Sequence, residues 1–248
     1  NTDAHGGKYR EYIKDFLGDP SFAPLIGNKL SYHAYWADRE RGDRLVGYRR
    51  LLRAALQRHA PDARLWQTEY CNLNEDGHGR DLGMGMALMA ARVIHHDLVE
   101  AMVSSWQWWL AVSPHDYKDG LIYTDFAKIG DPENIWPSKT LWALGHFSKF
   151  VRPEAVRVEL SGAQEKETIL ASAYHHETEK TLTIVMINEQ ERNQEIVLER
   201  AECLPAEMDG YITSDREGDD LRGFGAVRTD RPIEIPARSI MTLYAALI

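Results

Sequence analysis

At Arg152-Pro153 the periodicity of this chain changes, and that change limits what it can fold into. Up to about residue 150, short apolar runs alternate with helix-period segments. Leu30 to Trp36 reads as a strand. Asp43 to His59 reads as a helix with Leu45, Tyr48, Leu52 and Leu56 on one face, ended by Pro61-Asp62. Arg64 to Tyr70 reads as a second strand, Met84 to Glu100 as a long helix and Val103 to Trp109 as a third strand. Ser138 to Phe150 reads as a third helix, capped by Ser138. Strands separated by helices in this way predict βα units on a parallel sheet. Beyond Pro153 the runs shorten: Val156 to Leu160, Thr168 to His175, Thr181 to Asn188, Glu195 to Leu198, Ile212-Thr213, Ile233 to Ile235 and Ile240 to Tyr244. Polar turns join them, which predicts an antiparallel β-sandwich. The expected class is α/β plus all-β, with domains at 1–152 and 153–248. No low-complexity linker lies between them, so rigid packing of the two is expected.

Charge narrows the partners. Twenty-nine basic residues against 38 acidic leave a formal charge of −9, which opposes binding to nucleic acid or an anionic membrane and suits a neutral substrate. Seven Trp and 11 Tyr offer faces for stacking on sugars, although most aromatics in any chain fill the core. Cys71 and Cys203 are too few for a disulfide scaffold, and their pairing stays open. No apolar run reaches membrane-spanning length, and the first residues are not signal-like. His95-His96 and His175-His176 lack the spacing of metal ligands, so neither a metal nor a cofactor is expected. Met84, Met86 and Met89 read as core.

Three βα units are too few for a closed barrel and suit part of an eight-fold one, whose active-site groups stand where strands end. The three strands end in His33-Ala34-Tyr35-Trp36, in Thr68-Glu69-Tyr70 and in Trp106-Gln107-Trp108-Trp109. A carboxylate, a tyrosine and several tryptophans therefore converge on one face. That is what a retaining glycosidase needs: a nucleophile, a donor to hold it and an aromatic platform. Each residue also has a purely structural reading. Glu69 can be a strand-end carboxylate, Tyr35 and Trp108 can be core, and His33 either positions substrate or is a satisfied buried histidine. Alternate strand residues face opposite sides, so Trp106 and Trp109 have both readings as well.

Leu65-Trp66-Gln67-Thr68-Glu69-Tyr70-Cys71 resembles the seventh-strand nucleophile motif of glycoside hydrolase family 30. His33-Ala34-Tyr35 is similar to that family's sixth strand, and Ser105 to Ala111 to its eighth. Leu144 to Pro153 resembles the last helix and its exit into a side β domain, and Pro236 to Thr242 that domain's final strand. The resemblance implies strands six to eight of a (β/α)8 TIM barrel followed by a β-sandwich. It also implies Glu69 as nucleophile, Tyr35 as its hydrogen-bond donor and Trp108 as the platform. His33, Trp36 and Trp106 would join Trp108 in holding substrate, with Asp3, next to His5, at the end of a fifth strand. The implied enzyme is a secreted or periplasmic retaining hydrolase of a β-linked oligo- or polysaccharide. Residues 106–123 look most like the endo-β-1,6-galactanase branch. The family's acid/base, a Glu after Asn on the fourth strand, is expected upstream of Asn1, in a missing N-terminal part of the barrel. Asn74-Glu75 and Asn188-Glu189 are not suitably placed for that role. The alternative is a non-catalytic carbohydrate-binding or scaffold protein with an incomplete barrel.

Overall fold

Strands and helices are mixed up to residue 148 and, among the described residues, give way to strands alone beyond it, as the change of period predicts. The computed structural model describes residues 9–35, 43–73, 77–125, 134–161, 168–199 and 204–247. Asp3, His5, Trp36, Asn74-Glu75 and Cys203 lie outside the described residues. In chain order the elements are α1 (Tyr9–Tyr12), β1 (Lys29–His33), α2 (Asp43–His59), β2 (Arg64–Tyr70), α3 (Met84–Val99), β3 (Ser105–Trp108), β4 (Val112–Ser113), β5 (Ile122–Thr124), β6 (Ile135–Pro137) and α4 (Lys139–Ser148). After them come β7 (Val156–Val158), β8 (Leu170–His176), β9 (Thr181–Asn188), β10 (Gln194–Ile196), β11 (Glu207–Ser214), β12 (Arg222–Arg228), β13 (Ile233–Ile235) and β14 (Ser239–Ala246). Two compact units result: Asn1–Asp81 with Val93–Ile135, and Leu82–Arg92 with Trp136–Ile248.

In the first unit β1, β2 and β3 form a parallel sheet with β2 in the middle. Parallel neighbours need a crossover, and α2 supplies the one between β1 and β2. Its Leu45, Leu52 and Leu56 are buried in one cluster with Tyr32, Leu65, Val93 and Val103. Each such side chain contributes about 1.5–3 kcal/mol on leaving water. Tyr48 is only half-buried, and the neighbouring Arg49 is the buried residue instead.

The middle strand is irregular. Lys29 to Tyr32 pair in step with Arg64 to Gln67, but His33 pairs with Glu69, which passes over Thr68. On the other side Gln67 pairs with Trp106 and Tyr70 with Trp108. Strand β2 thus carries one residue more than either neighbour at Thr68-Glu69, which is a β-bulge. Burial follows it: Leu65, Gln67 and then Tyr70 face the core, where strict alternation would have chosen residue 69.

In the second unit the six-stranded antiparallel sheet runs β12-β11-β14-β9-β8-β7. One face meets the two-stranded β10-β13 sheet. Ile184, Met186, Met241 and Leu243 pack there against Ile233, Ile235 and Ile196. The alternate residues turn to α4, whose buried His146 sits between Thr242 on β14 (2.7 Å) and Thr213 on β11 (2.9 Å). Layers on both sides explain why every residue of β9 is buried. Ser138 occupies the N-cap position of α4 in an extended conformation, but its side chain makes no capping hydrogen bond, contrary to the expected cap. Strand β12 was not foreseen. Met84, Met86 and Met89 are buried.

Candidate active site

The bulge decides where Glu69 points. Its backbone N–H donates to the side-chain carbonyl of Gln67 at 2.8 Å, so the group that the skipped ladder position leaves over is satisfied within the strand. Its carboxylate stays partly exposed, at the end of a parallel strand where such folds place their chemistry. There the hydroxyl of Tyr35, two residues past the end of β1, donates to Glu69 Oε1 at 2.6 Å. His33 Nδ1 stands 3.9 Å from the same oxygen. Burial, and next the hydrogen bond to Glu69, raise the pKa of Tyr35 well above the usual tyrosine value. It remains a donor throughout the neutral range.

Aromatic rings back this pair. Tyr70, fully buried, stacks on Tyr35 with centroids 6.1 Å apart. Trp108 meets Tyr70 edge-on at 5.9 Å, and Trp106 meets it at the same distance, tilted. The two indole N–H groups are both engaged. Trp108 donates to the backbone carbonyl of Asp119 at 2.7 Å, and Trp106 to Asp97 Oδ2 at 2.8 Å.

Asp97 organises the layer beneath. It is fully buried on α3 and also accepts the hydroxyl of Tyr32 (2.7 Å) and Nε of Arg49 (2.6 Å), so donors from β1, α2 and β3 meet on one carboxylate. Burial works against the Arg49 charge, and Asp97 together with Tyr32 and Tyr70 more than offsets it, leaving the Arg49 pKa raised. The Trp106 indole N–H is thereby tied to this buried layer, while its side chain stays partly exposed.

Beside Tyr35 opens a cleft of about 340 Å³ lined by Tyr35, Cys71, Asn72, Leu73, Trp109, His115, Tyr117, Lys118 and Asp119. Glu69, Tyr35, His33, Trp106 and Trp108 are therefore brought into one neighbourhood, while Asp3 and Trp36 lie outside the described residues. The cleft adds residues that periodicity does not reveal. Trp109, 48% exposed, presents more open ring surface than Trp108. The segment His115 to Asp119 belongs to a loop with no apolar rhythm, and its only signal was the likeness of Tyr117-Lys118-Asp119-Gly120 to one branch of a family. Among the described residues no cluster of three or more His, Cys, Asp or Glu is arranged to hold a metal. His95 and His96 are buried with their rings edge-on. Asn188-Glu189 is structural: Asn188 donates to the carbonyls of Arg192, Ile235 and Pro236, and Glu189 pairs with Arg92 at 2.6 Å.

Residues 10–123, which hold the whole neighbourhood, match the model of O-Glycosyl hydrolase family 30. Over 186 residues the chain is 28% identical to Glucuronoxylanase XynC of Bacillus subtilis, a match covering 72% of this chain and 38% of that protein. A conserved exported protein from Bacteroides fragilis superposes with a TM-score of 0.76 at 26% identity, over 95% of this chain and 50% of that one. A GH30 endoxylanase from Clostridium papyrosolvens C71 gives 0.69 at 19% identity, over 96% and 54%. The chain thus spans about half the length of these structures and less of the curated relative.

Proposed function

Because this chain belongs to glycoside hydrolase family 30, we propose that it carries the nucleophile of a retaining β-glycosidase, Glu69, with Tyr35 as its positioning donor. The observation that supports the reading most is the 2.6 Å hydrogen bond from Tyr35 to Glu69 Oε1 at the end of a parallel strand. One oxygen is fixed, and the other faces the substrate. Glu69 attacks the anomeric carbon, the glycosidic C–O bond breaks, and a covalent glycosyl ester forms. The leaving oxygen takes its proton from a second carboxylic acid. Water then attacks the same anomeric carbon and gives a proton back to that group, and the C–O bond to the carboxylate breaks, releasing sugar and Glu69.

In a retaining enzyme of this family the second carboxylate belongs to the fourth strand of a (β/α)8 barrel. In this reading β1, β2 and β3 are strands six to eight of that barrel. Among the described residues β1 and β3 each pair only with β2, so further strands have edges to join. Strands β7 to β14 are the side β domain in this reading. The likeness of the loop after β3 supports a β-1,6-galactan as substrate, whereas two of the three named relatives are xylanases. The enzyme is exported, as the protein from Bacteroides fragilis is described to be.

The test is labelling of the complete polypeptide with a 2-deoxy-2-fluoro β-glycoside, followed by mapping of the modified residue. The ester is expected on Glu69, and Glu69→Gln should lose both labelling and turnover while unfolding at the same temperature. Near-wild-type hydrolysis by Glu69→Gln would overturn the assignment. A panel containing β-1,6-galactan and glucuronoxylan then fixes the linkage. Sugar binding without any hydrolysis would instead favour a carbohydrate-binding protein.

A further inference from the structure

Strand β3 carries Trp108 close to the Tyr35–Glu69 pair, but the group that holds its ring lies outside the strand. The indole N–H donates to the backbone carbonyl of Asp119 at 2.7 Å. Asp119 belongs to the segment between β4 and β5, residues 114–121, which forms neither helix nor strand. A hydrogen bond fixes a ring only as well as its acceptor is fixed, so Trp108 is as steady as this segment makes it.

The segment closes around Arg80, a partly buried residue of the loop after β2. Nε of Arg80 donates to the carbonyl of His115 at 2.9 Å, and Nη2 reaches the carbonyls of Pro114 (2.8 Å) and Thr124 (2.9 Å). Its backbone N–H donates to the Asp116 carboxylate at 2.9 Å. The guanidinium also lies over the ring of Tyr123, 5.4 Å from the centroid, a favourable place for a cation. Tyr123 is buried, and its hydroxyl accepts the N–H of Gly120 (3.0 Å) and donates to the carbonyl of Tyr117 (2.8 Å). One side chain from another loop thus ties the start of the segment at Pro114 to the strand after it at Thr124. It also props the tyrosine that ties the residues on either side of Asp119. A planar fork of donors can serve these carbonyls together, where the compact ammonium of a lysine cannot.

We propose that Arg80 is a positioning residue of the active site, which fixes the Asp119 carbonyl and through it the Trp108 ring. Its effect travels by contact. Trp108 meets Tyr70 edge-on at 5.9 Å, Tyr70 stacks on Tyr35 at 6.1 Å, and Tyr35 donates to Glu69. Irregular surface segments open locally at little cost to global stability. Loss of the clamp should therefore show at Trp108 before it shows in the unfolding temperature. The inference rests on the glycosidase reading for its rate measurement, but its spectroscopic measurement does not need catalysis.

The experiment compares the complete polypeptide with Arg80→Met, Arg80→Lys, Trp108→Phe and the double variant Arg80→Met with Trp108→Phe. The near-ultraviolet circular dichroism lost in Trp108→Phe is the signature of the held ring. Arg80→Met should lose that same component and Arg80→Lys part of it, both unfolding at the parent temperature. On whichever of β-1,6-galactan and glucuronoxylan the parent hydrolyses better, Arg80→Met should lower kcat/KM about fivefold. The loss should divide between kcat and KM as it does in Trp108→Phe. The double variant should then fall within about twofold of Trp108→Phe alone, because both changes act on one ring. Losses that multiply independently would overturn the proposal. So would an unchanged Trp108 signal in Arg80→Met, or lowered stability with kcat/KM unchanged. A parent that hydrolyses no glycan would sink the glycosidase reading instead, and the Trp108 signal would still decide whether Arg80 holds the ring.

Discussion

The side-chain carbonyl of Gln67 accepts the backbone N–H of Glu69, two residues further along the same strand, at 2.8 Å. Gln67 is fully buried and occupies the last regular position before the bulge. A side chain thus does what a neighbouring strand does elsewhere. Gln67→Leu keeps the apolar volume and removes the acceptor, leaving an N–H unmatched in a partly buried place. A loss of about 1–3 kcal/mol in urea unfolding is expected, along with a fall in turnover larger than any change in KM.

Tyr35 gives a prediction in alkali. Its folded pKa is raised, first by burial and then by the hydrogen bond to Glu69, so the fold favours the protonated phenol. That preference contributes stability below the ordinary value of 10.0, and the contribution is lost as pH climbs above it toward the folded value. Tyrosinate absorbance during a rise through pH 10 to 11 should show Tyr35 among the late groups, together with the buried Tyr32, whose pKa is raised by burial and by Asp97. Tyr35→Phe should leave the early-titrating population unchanged, and a smaller early step in that variant would contradict the assignment.

Asp97 and Arg49 form an ion pair with almost no exposure, 0% and 3% for the two side chains. Asp97→Ala strands a buried guanidinium and two further donors, Tyr32 and Trp106, and is expected to cost about 3–5 kcal/mol. The double change Arg49→Met with Asp97→Leu should cost clearly less than the two single changes added together, because it removes both charges at once. Chemical denaturation of the four proteins completes the cycle.

His146 predicts an acid limit. Burial pulls its pKa from 6.5 down to about 3, so the folded ring stays neutral between Thr242 and Thr213. Below pH 6.5 the unfolded chain takes up a proton that the fold refuses, and stability is lost progressively until the pH reaches about 3. The loss from this one residue is on the order of a few kcal/mol. Urea midpoints measured from pH 7 to 4 should fall less steeply for His146→Gln, even if that variant begins from a lower value at pH 7.

Several elements were legible because their side chains keep a period. Helix α2 and strands β2, β9 and β13 have the bounds that apolar spacing predicts. The bulge was not legible: its pattern Leu65, Gln67, Tyr70 departs from alternation by one residue, and Gln67 is polar. Strand β12 escaped because Arg222 to Arg228 is exposed nearly throughout, so no apolar face advertises it. Its Phe224 covers Gly210 on β11, where a Cβ would come within 2.3 Å of the ring, and that contact is invisible in a linear pattern. Asp97 follows His95 and His96 within α3, so no apolar period singles it out. That Glu69 and Tyr35 meet was readable from strand ends. The cleft was not, since it is built by loops whose shape depends on carbonyl contacts made by Arg80 and Tyr123 rather than on residue type.

The two compact units are interleaved in sequence, with the chain passing between them at 81/82, 92/93 and 135/136. The middle crossing falls inside α3. A chimera with another family member that is spliced once, at Pro153, would place a foreign sheet under α4 and leave His146 to meet whatever stands at the positions of Thr213 and Thr242. Helix and sheet are therefore constrained to diverge together. Recombination should succeed at paired junctions that carry residues 136–248 and 82–92 as a set.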